Sequence, residues 1–152
     1  LAAYNDLSPP ARPGALVIAA NLGGLTLAPG VYTTASGAFL ITGANLTLDA
    51  GGNANAVWVF QMASSLTVGE AAVPRSVILA GGAQPKNVFW QVGSSATINP
   101  SGGGTMVGTI IASAAVSFST AGNAIVATLN GRAVGLNALV SLVNTVINVP
   151  AP

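Results

Sequence analysis

A chain of 152 residues has room for one domain with one continuous core. Its composition is 51% hydrophobic and 5% charged, where an ordinary soluble protein carries about 25% charged residues. The charges are Asp6, Arg12, Asp49, Glu70, Arg75, Lys86 and Arg132, so residues 87–131 carry none; nucleic acid, which needs clustered Lys and Arg, is excluded as a partner.

No membrane span is expected either. A spanning helix needs about 18 consecutive apolar residues, and Ser, Thr, Gly or Asn interrupts every apolar stretch; Gly108, Thr109, Ser113 and Ser117 break up the run from Met106 to Phe118. The scattered aromatics supply no girdles of the kind a transmembrane β-barrel carries. There is no cysteine and hence no disulfide framework. Low charge with abundant Ser, Thr, Asn and Gly suits an extracellular protein, secreted or at the cell surface.

In chain order, Leu1 to Leu7 reads as the tail of a helix stopped by Pro9 and Pro10, and residues 1–20 form that tail plus a Pro-rich segment. From residue 21 to 152 the pattern is all-β: short alternating stretches bounded by turn residues, in a chain punctuated throughout by 19 Gly and 9 Pro. Six apolar-hydroxyl-apolar triplets recur, Leu25-Thr26-Leu27, Leu46-Thr47-Leu48, Leu66-Thr67-Val68, Ala96-Thr97-Ile98, Val116-Ser117-Phe118 and Val140-Ser141-Leu142. Their starts are 21, 20, 30, 20 and 24 residues apart, the spacing of stacked coils. Further strands are expected at Val57–Met62, Ser76–Leu79, Val88–Val92, Thr105–Ala112, Ile125–Leu129 and Thr145–Val149, forming the other faces of the coils.

Phe60 to Val68 is repeated thirty residues later as Trp90 to Ile98, an internal duplication that again points to a repeated structural unit. In a strand the two apolar members of a triplet point to one side and the hydroxyl to the other. The expected fold is therefore a β-solenoid of about six coils with at most a helical remnant at its N-terminus. Leu27, Leu48, Val68, Ile98, Phe118 and Leu142 would form one core column, and Thr26, Thr47, Thr67, Thr97, Ser117 and Ser141 one outward ladder. A β-sandwich also has short strands and frequent turns but gives no reason for the same triplet to recur.

Several runs resemble those of the ice-binding-protein family. They are Leu22-Gly23-Gly24-Leu25-Thr26-Leu27-Ala28-Pro29-Gly30-Val31-Tyr32, Leu46-Thr47-Leu48-Asp49-Ala50-Gly51-Gly52, Ala56 to Gln61, Asn87 to Thr97 and Asn130-Gly131-Arg132-Ala133, in the family's order. The resemblance covers about residues 20–148. It implies a right-handed β-helix of triangular section with a long helix along its side, no enzyme activity and no cofactor. It also implies a flat ice-binding face carrying Thr-(Ala or Gly)-x-(Thr or Asn), which Thr42-Gly43-Ala44-Asn45 and Thr120-Ala121-Gly122-Asn123 match. Thr42, Asn45, Thr120 and Asn123 are thus the candidate ice-binding residues. Relative to the family, the N-terminal strands and most of the flanking helix are expected to be absent.

The residues themselves give catalysis little to work with. Without His or Cys there are no ligands for a zinc or iron site and no triad of the usual kind, so neither metal nor cofactor is expected. Asp6, Asp49 and Glu70 are the only carboxylate side chains, and Asp49 beside Gly51 reads as a turn residue. Gln61 and Gln91, at equivalent places in the repeat, read as side chains bonding the backbone between coils. With so few charges and so much apolar surface, the first functional expectation is a self-assembling subunit of a filament or surface layer, with copies of itself as partners. The alternative is ice binding and recrystallisation inhibition through a flat Thr/Ser/Asn face, with ice as the partner.

Overall fold

In the computed structural model, which describes residues 1–120 and 122–151, short parallel strands wind as successive coils with three faces. Face A holds β1 (Leu16–Val17), β3 (Gly30–Thr33), β6 (Trp58–Met62) and β9 (Val88–Val92), followed by the later halves of β11 (Thr105–Ala112) and β13 (Ala127–Gly135). Face B holds β4 (Phe39–Ile41), β7 (Leu66–Val68), β10 (Ala96–Ile98), β12 (Val116–Phe118) and β14 (Val140–Leu142). Face C begins with β2 (Thr26–Leu27), β5 (Leu46–Asp49) and β8 (Val77–Ala80). The chain is a β-solenoid. Its first rung on face A, β1, lies within the segment 1–20 and pairs with β3.

Later coils lose a separate strand on face C, because β11 and β13 each run around the corner. Thr109 to Ala112 pairs with β9, whereas the backbone N–H of Thr105 donates to the Ser76 hydroxyl beside β8. The last strand, β15 (Thr145–Asn148), pairs only with Ala127 to Asn130. The bend falls at Gly108, whose φ of 95° is open to glycine, and Gly131 stacks on it in register, with no space for a Cβ above the Gly108 carbonyl.

Side chains alternate in and out along each strand, so a register fixed by parallel pairing stacks like positions into columns. Tyr32, Phe60 and Trp90 stack this way inside face A, with ring centroids 5.6 and 4.1 Å apart. Phe39 meets Phe60 edge-on at 5.9 Å. Burying one such aromatic contributes roughly 4–6 kcal/mol gross at the usual value per unit area, offset by the cost of ordering it. The Trp90 indole N–H donates to the Val107 carbonyl, so its one polar atom is satisfied in the core.

The outer side of face A is partly covered. Helix α1 (Ala2–Leu7) has six residues, too few to persist alone, and is held by burial of Leu7 against Val59 and Ile111. The Gln61 amide clasps it by donating to the carbonyls of Leu7 and Arg12, at 2.9 and 3.0 Å. Gln61 therefore bonds the N-terminal segment, where the sequence suggested a neighbouring coil.

The six triplets do not form one column. Val68, Ile98, Phe118 and Leu142 align on face B behind Ile41, whereas Leu27 and Leu48 align on face C with Leu79. The outward ladder divides in the same way, into Thr67, Thr97, Ser117 and Ser141 on face B and Thr26 and Thr47 on face C. The reason lies in the corner loops: coils differ in length, and the 20 residues from Leu46 to Leu66 carry the chain from face C past face A to face B.

Candidate functional site: an uncharged hydroxyl face

Face B is a stack of three-residue strands, with no helix lying over it, and its outward residues are set by register. Leu40, Thr67, Thr97, Ser117 and Ser141 follow one another across the five strands, spanning about 19 Å at the usual strand separation. Just before the strands stand Ala38, Ser65, Ser95, Ala115 and Leu139. Ladder bonds align them too, since the Phe39, Leu66, Ala96 and Val116 N–H groups donate to the carbonyls of Ser65, Ser95, Ala115 and Leu139. The face thus presents two ranks about 7 Å apart along the strands, hydroxyl and alanine positions in the middle with Leu40 at one end and Leu139 at the other. None of the seven charged residues lies in its strands or in these ranks.

Beneath the face lie two apolar rows. Phe39, Leu66, Ala96 and Val116 form one fully buried row, and Ile41, Val68, Ile98 and Phe118 another. With two close-packed rows under three-residue strands, little freedom remains for the outward side chains to tilt.

At the edge where face B turns toward face C, a set of asparagines joins neighbouring coils. Gly69, Asn99 and Ser119 follow their strands in the left-handed conformation, with φ of 85°, 43° and 58°, which glycine adopts freely and asparagine tolerates better than most residues. Asn99 exchanges hydrogen bonds with Arg75, its Oδ1 accepting from the Arg75 N–H and its Nδ2 donating to the Arg75 carbonyl, both at 2.9 Å. The Asn144 Nδ2 donates to the Asn123 carbonyl one coil earlier.

The four candidate residues taken from the Thr-x-x-Asn motif sit at this same edge. Thr42 and Asn45 lie in the turn between β4 and β5, and Thr120 and Asn123 in the loop between β12 and β13, three rungs or about 14 Å away. Asn45 Oδ1 accepts from the Ser76 N–H at 2.9 Å. Asn123 Nδ2 donates to Thr120 Oγ1 and to the Pro100 carbonyl, and Thr120 Oγ1 donates to that carbonyl at 2.8 Å. Ala121, within the second motif, lies outside the described residues. The side chains of Asn45, Thr120 and Asn123 thus bond neighbouring coils, whereas Thr42 is engaged through its backbone, which exchanges bonds with the Asn21 amide. Ser65 and Ser95 were not singled out from the sequence, although the thirty-residue repeat contains both as Ser64-Ser65 and Ser94-Ser95.

The carboxylates are engaged locally. Asp6 pairs with Arg12 at 2.7 Å, and Asp49 Oδ1 accepts from the Gly51 N–H at 2.9 Å. Glu70 pairs with Arg75 at 2.9 Å and accepts from the Gly43 N–H. The Gly43 bond, aided by the Arg75 guanidinium, holds the Glu70 carboxyl below its usual pKa despite an opposing desolvation contribution. Among the described residues, no three His, Cys, Asp or Glu side chains gather where they could hold a metal, and no helix is long and apolar enough to cross a membrane.

The family model described as ice-binding-like matches residues 1–148. An ice-binding protein of Nostoc sp. (strain HG1) is 43% identical over 121 residues, covering 80% of this chain and 42% of that protein. One from Flavobacterium frigoris (strain PS1) is 32% identical over 145 residues, covering 95% and 48%. The chain spans about half the length of these curated relatives. Among solved structures, an ice-binding protein from an Antarctic biological consortium superimposes with a TM-score of 0.81 at 36% identity, covering 94% of this chain and 60% of that one. A domain of Shewanella frigidimarina ice-binding protein 1 gives 0.83 at 28% identity, covering 98% and 59%. The fold and the matched span agree: the chain belongs to the ice-binding-like family.

Proposed function

We propose that this chain is a non-catalytic, extracellular ice-binding solenoid whose contact surface is face B. The observation that carries the reading is the register-aligned column Thr67, Thr97, Ser117 and Ser141, set in a face whose strands carry no charge. Ice offers a repeating array of hydrogen-bonding sites, and a rigid sheet with hydroxyls repeating every 4.8 Å or so matches such an array better than mobile charged side chains do. Thr and Ala methyl groups between the hydroxyls add apolar area that loses less hydration than a charge would on contact. Membership of the family and the names of the relatives support ice as the partner.

The test is a bulky substitution in the middle of the column. Thr97→Tyr is expected to abolish thermal hysteresis and recrystallisation inhibition with little change in melting temperature, because Thr97 is exposed and only its outward atoms change. Full activity in that variant would remove face B from the site. Thr120→Tyr separates the two candidate surfaces: it is expected to weaken activity less, since Thr120 lies at the edge.

A second reading, a self-assembling subunit of a filament or surface layer, is favoured by one observation. Ile78, Val126 and Ile125, within the coils, are 44–62% exposed. An apolar surface of this kind is commonly covered by a neighbour. Sedimentation velocity at high concentration decides it: a single monomeric boundary would set the filament aside.

A further inference from the structure

We propose that Asn99, Asn123 and Asn144 are positioning residues for the ice-contact face, clamping the coils along its edge so that Thr97, Ser117 and Ser141 stay in one plane. The inference rests on face B being the contact surface, and it gives the motif asparagine Asn123 a different role from the one the family resemblance implies.

Each asparagine follows the hydroxyl residue of its own coil by two to six positions and bonds the backbone of the preceding coil: Asn99 to Arg75, Asn123 to Pro100 and Asn144 to Asn123. The bonds form a continuous series along the stack. Asn123 is also fixed within its own loop by Thr120 Oγ1, which in turn donates to the Pro100 carbonyl. On the opposite edge Asn137 Nδ2 donates to the Ser113 carbonyl at 2.8 Å, so the β12–β14 pair is held from both sides. Strands of three residues contribute few ladder bonds each, and β13 begins only at Ala127, nine residues after the end of β12. Side-chain clamps therefore carry much of the alignment between adjacent coils at this end. A lattice-matched surface is sensitive to such alignment, because small displacements between rungs accumulate across an array that must meet a rigid crystal.

The experiment compares Asn123→Ala with Asn148→Ala. Asn148 makes a similar inter-strand bond, its Nδ2 donating to Asn130 Oδ1 at 2.9 Å, but between β13 and β15 and away from face B. Hysteresis activity is read well below the melting temperature of both variants, with Thr97→Tyr measured alongside. Expected is a several-fold loss of activity in Asn123→Ala and none in Asn148→Ala at a comparable shift in melting temperature. Should Asn123→Ala fail to fold, Asn144→Gly removes a second clamp while keeping the left-handed backbone that position requires, with φ of 45°. Full activity in the clamp variant, or parallel losses in both Asn variants that track melting temperature, overturns the proposal. Retained activity in Thr97→Tyr would instead overturn the face assignment itself; an inactive Thr97→Tyr beside an active Asn123→Ala confines the failure to the clamps.

Discussion

Glu70 shows how single polar residues are used in a chain with so few charges. It stands where face B turns to face C and ties two coils, accepting from the Gly43 N–H and pairing with Arg75, whose backbone Asn99 holds. Its folded-state pKa is lowered, so its contribution to stability is complete above the ordinary glutamate value of about 4.3 and is lost as pH falls toward the folded-state value. With no histidine in the chain, urea midpoints are expected to stay level between pH 8 and 5 and to fall below about pH 4. Glu70→Gln should shrink that acid-side fall; an identical profile in the variant would mean that the ion pair and the Gly43 bond contribute nothing measurable.

Helix α1 depends on tertiary contacts, chiefly Leu7 in its apolar niche and the two carbonyls held by Gln61. Removing the Gln61 amide leaves those carbonyls without their donor, so Gln61→Ala is expected to cost about 1–3 kcal/mol. Hydrogen exchange should quicken over residues 1–15 while the amides of β7, β10 and β12 keep their protection. Unchanged exchange there would show that Leu7 alone anchors the helix.

How far the elements were legible follows from the same physics. The strands were readable because alternation and turn residues mark them, and the stacked coils because the triplet recurs. Assignment to faces was not, because apolar-hydroxyl-apolar looks the same on any face, and spacing alone cannot separate a full turn of 20 residues from two sides of a longer one. Phe39-Leu40-Ile41, the first of the face B strands, lacks the triplet signature because Leu40 stands where later strands have a hydroxyl. The clamps were invisible for another reason: Asn99 lies 24 residues from Arg75, and a corner bond between coils leaves no periodic trace in sequence.

At the scale of the whole molecule, three faces carry three different surfaces. Face A is partly covered by the N-terminal segment, face C carries an exposed Ile78 beside Thr47, and face B alone presents a four-membered hydroxyl column. Seven charges give the molecule little long-range field, so contact with a neutral crystalline surface must rest on shape and short-range bonding. The most direct test is the partition of fluorescently labelled protein into a slowly growing ice hemisphere. Wild type, Thr97→Tyr on face B and Thr26→Tyr on face C would be compared at equal concentration. Expected are incorporation of wild type and Thr26→Tyr and exclusion of Thr97→Tyr; incorporation of Thr97→Tyr, or exclusion of Thr26→Tyr alone, would contradict the assignment of ice binding to face B.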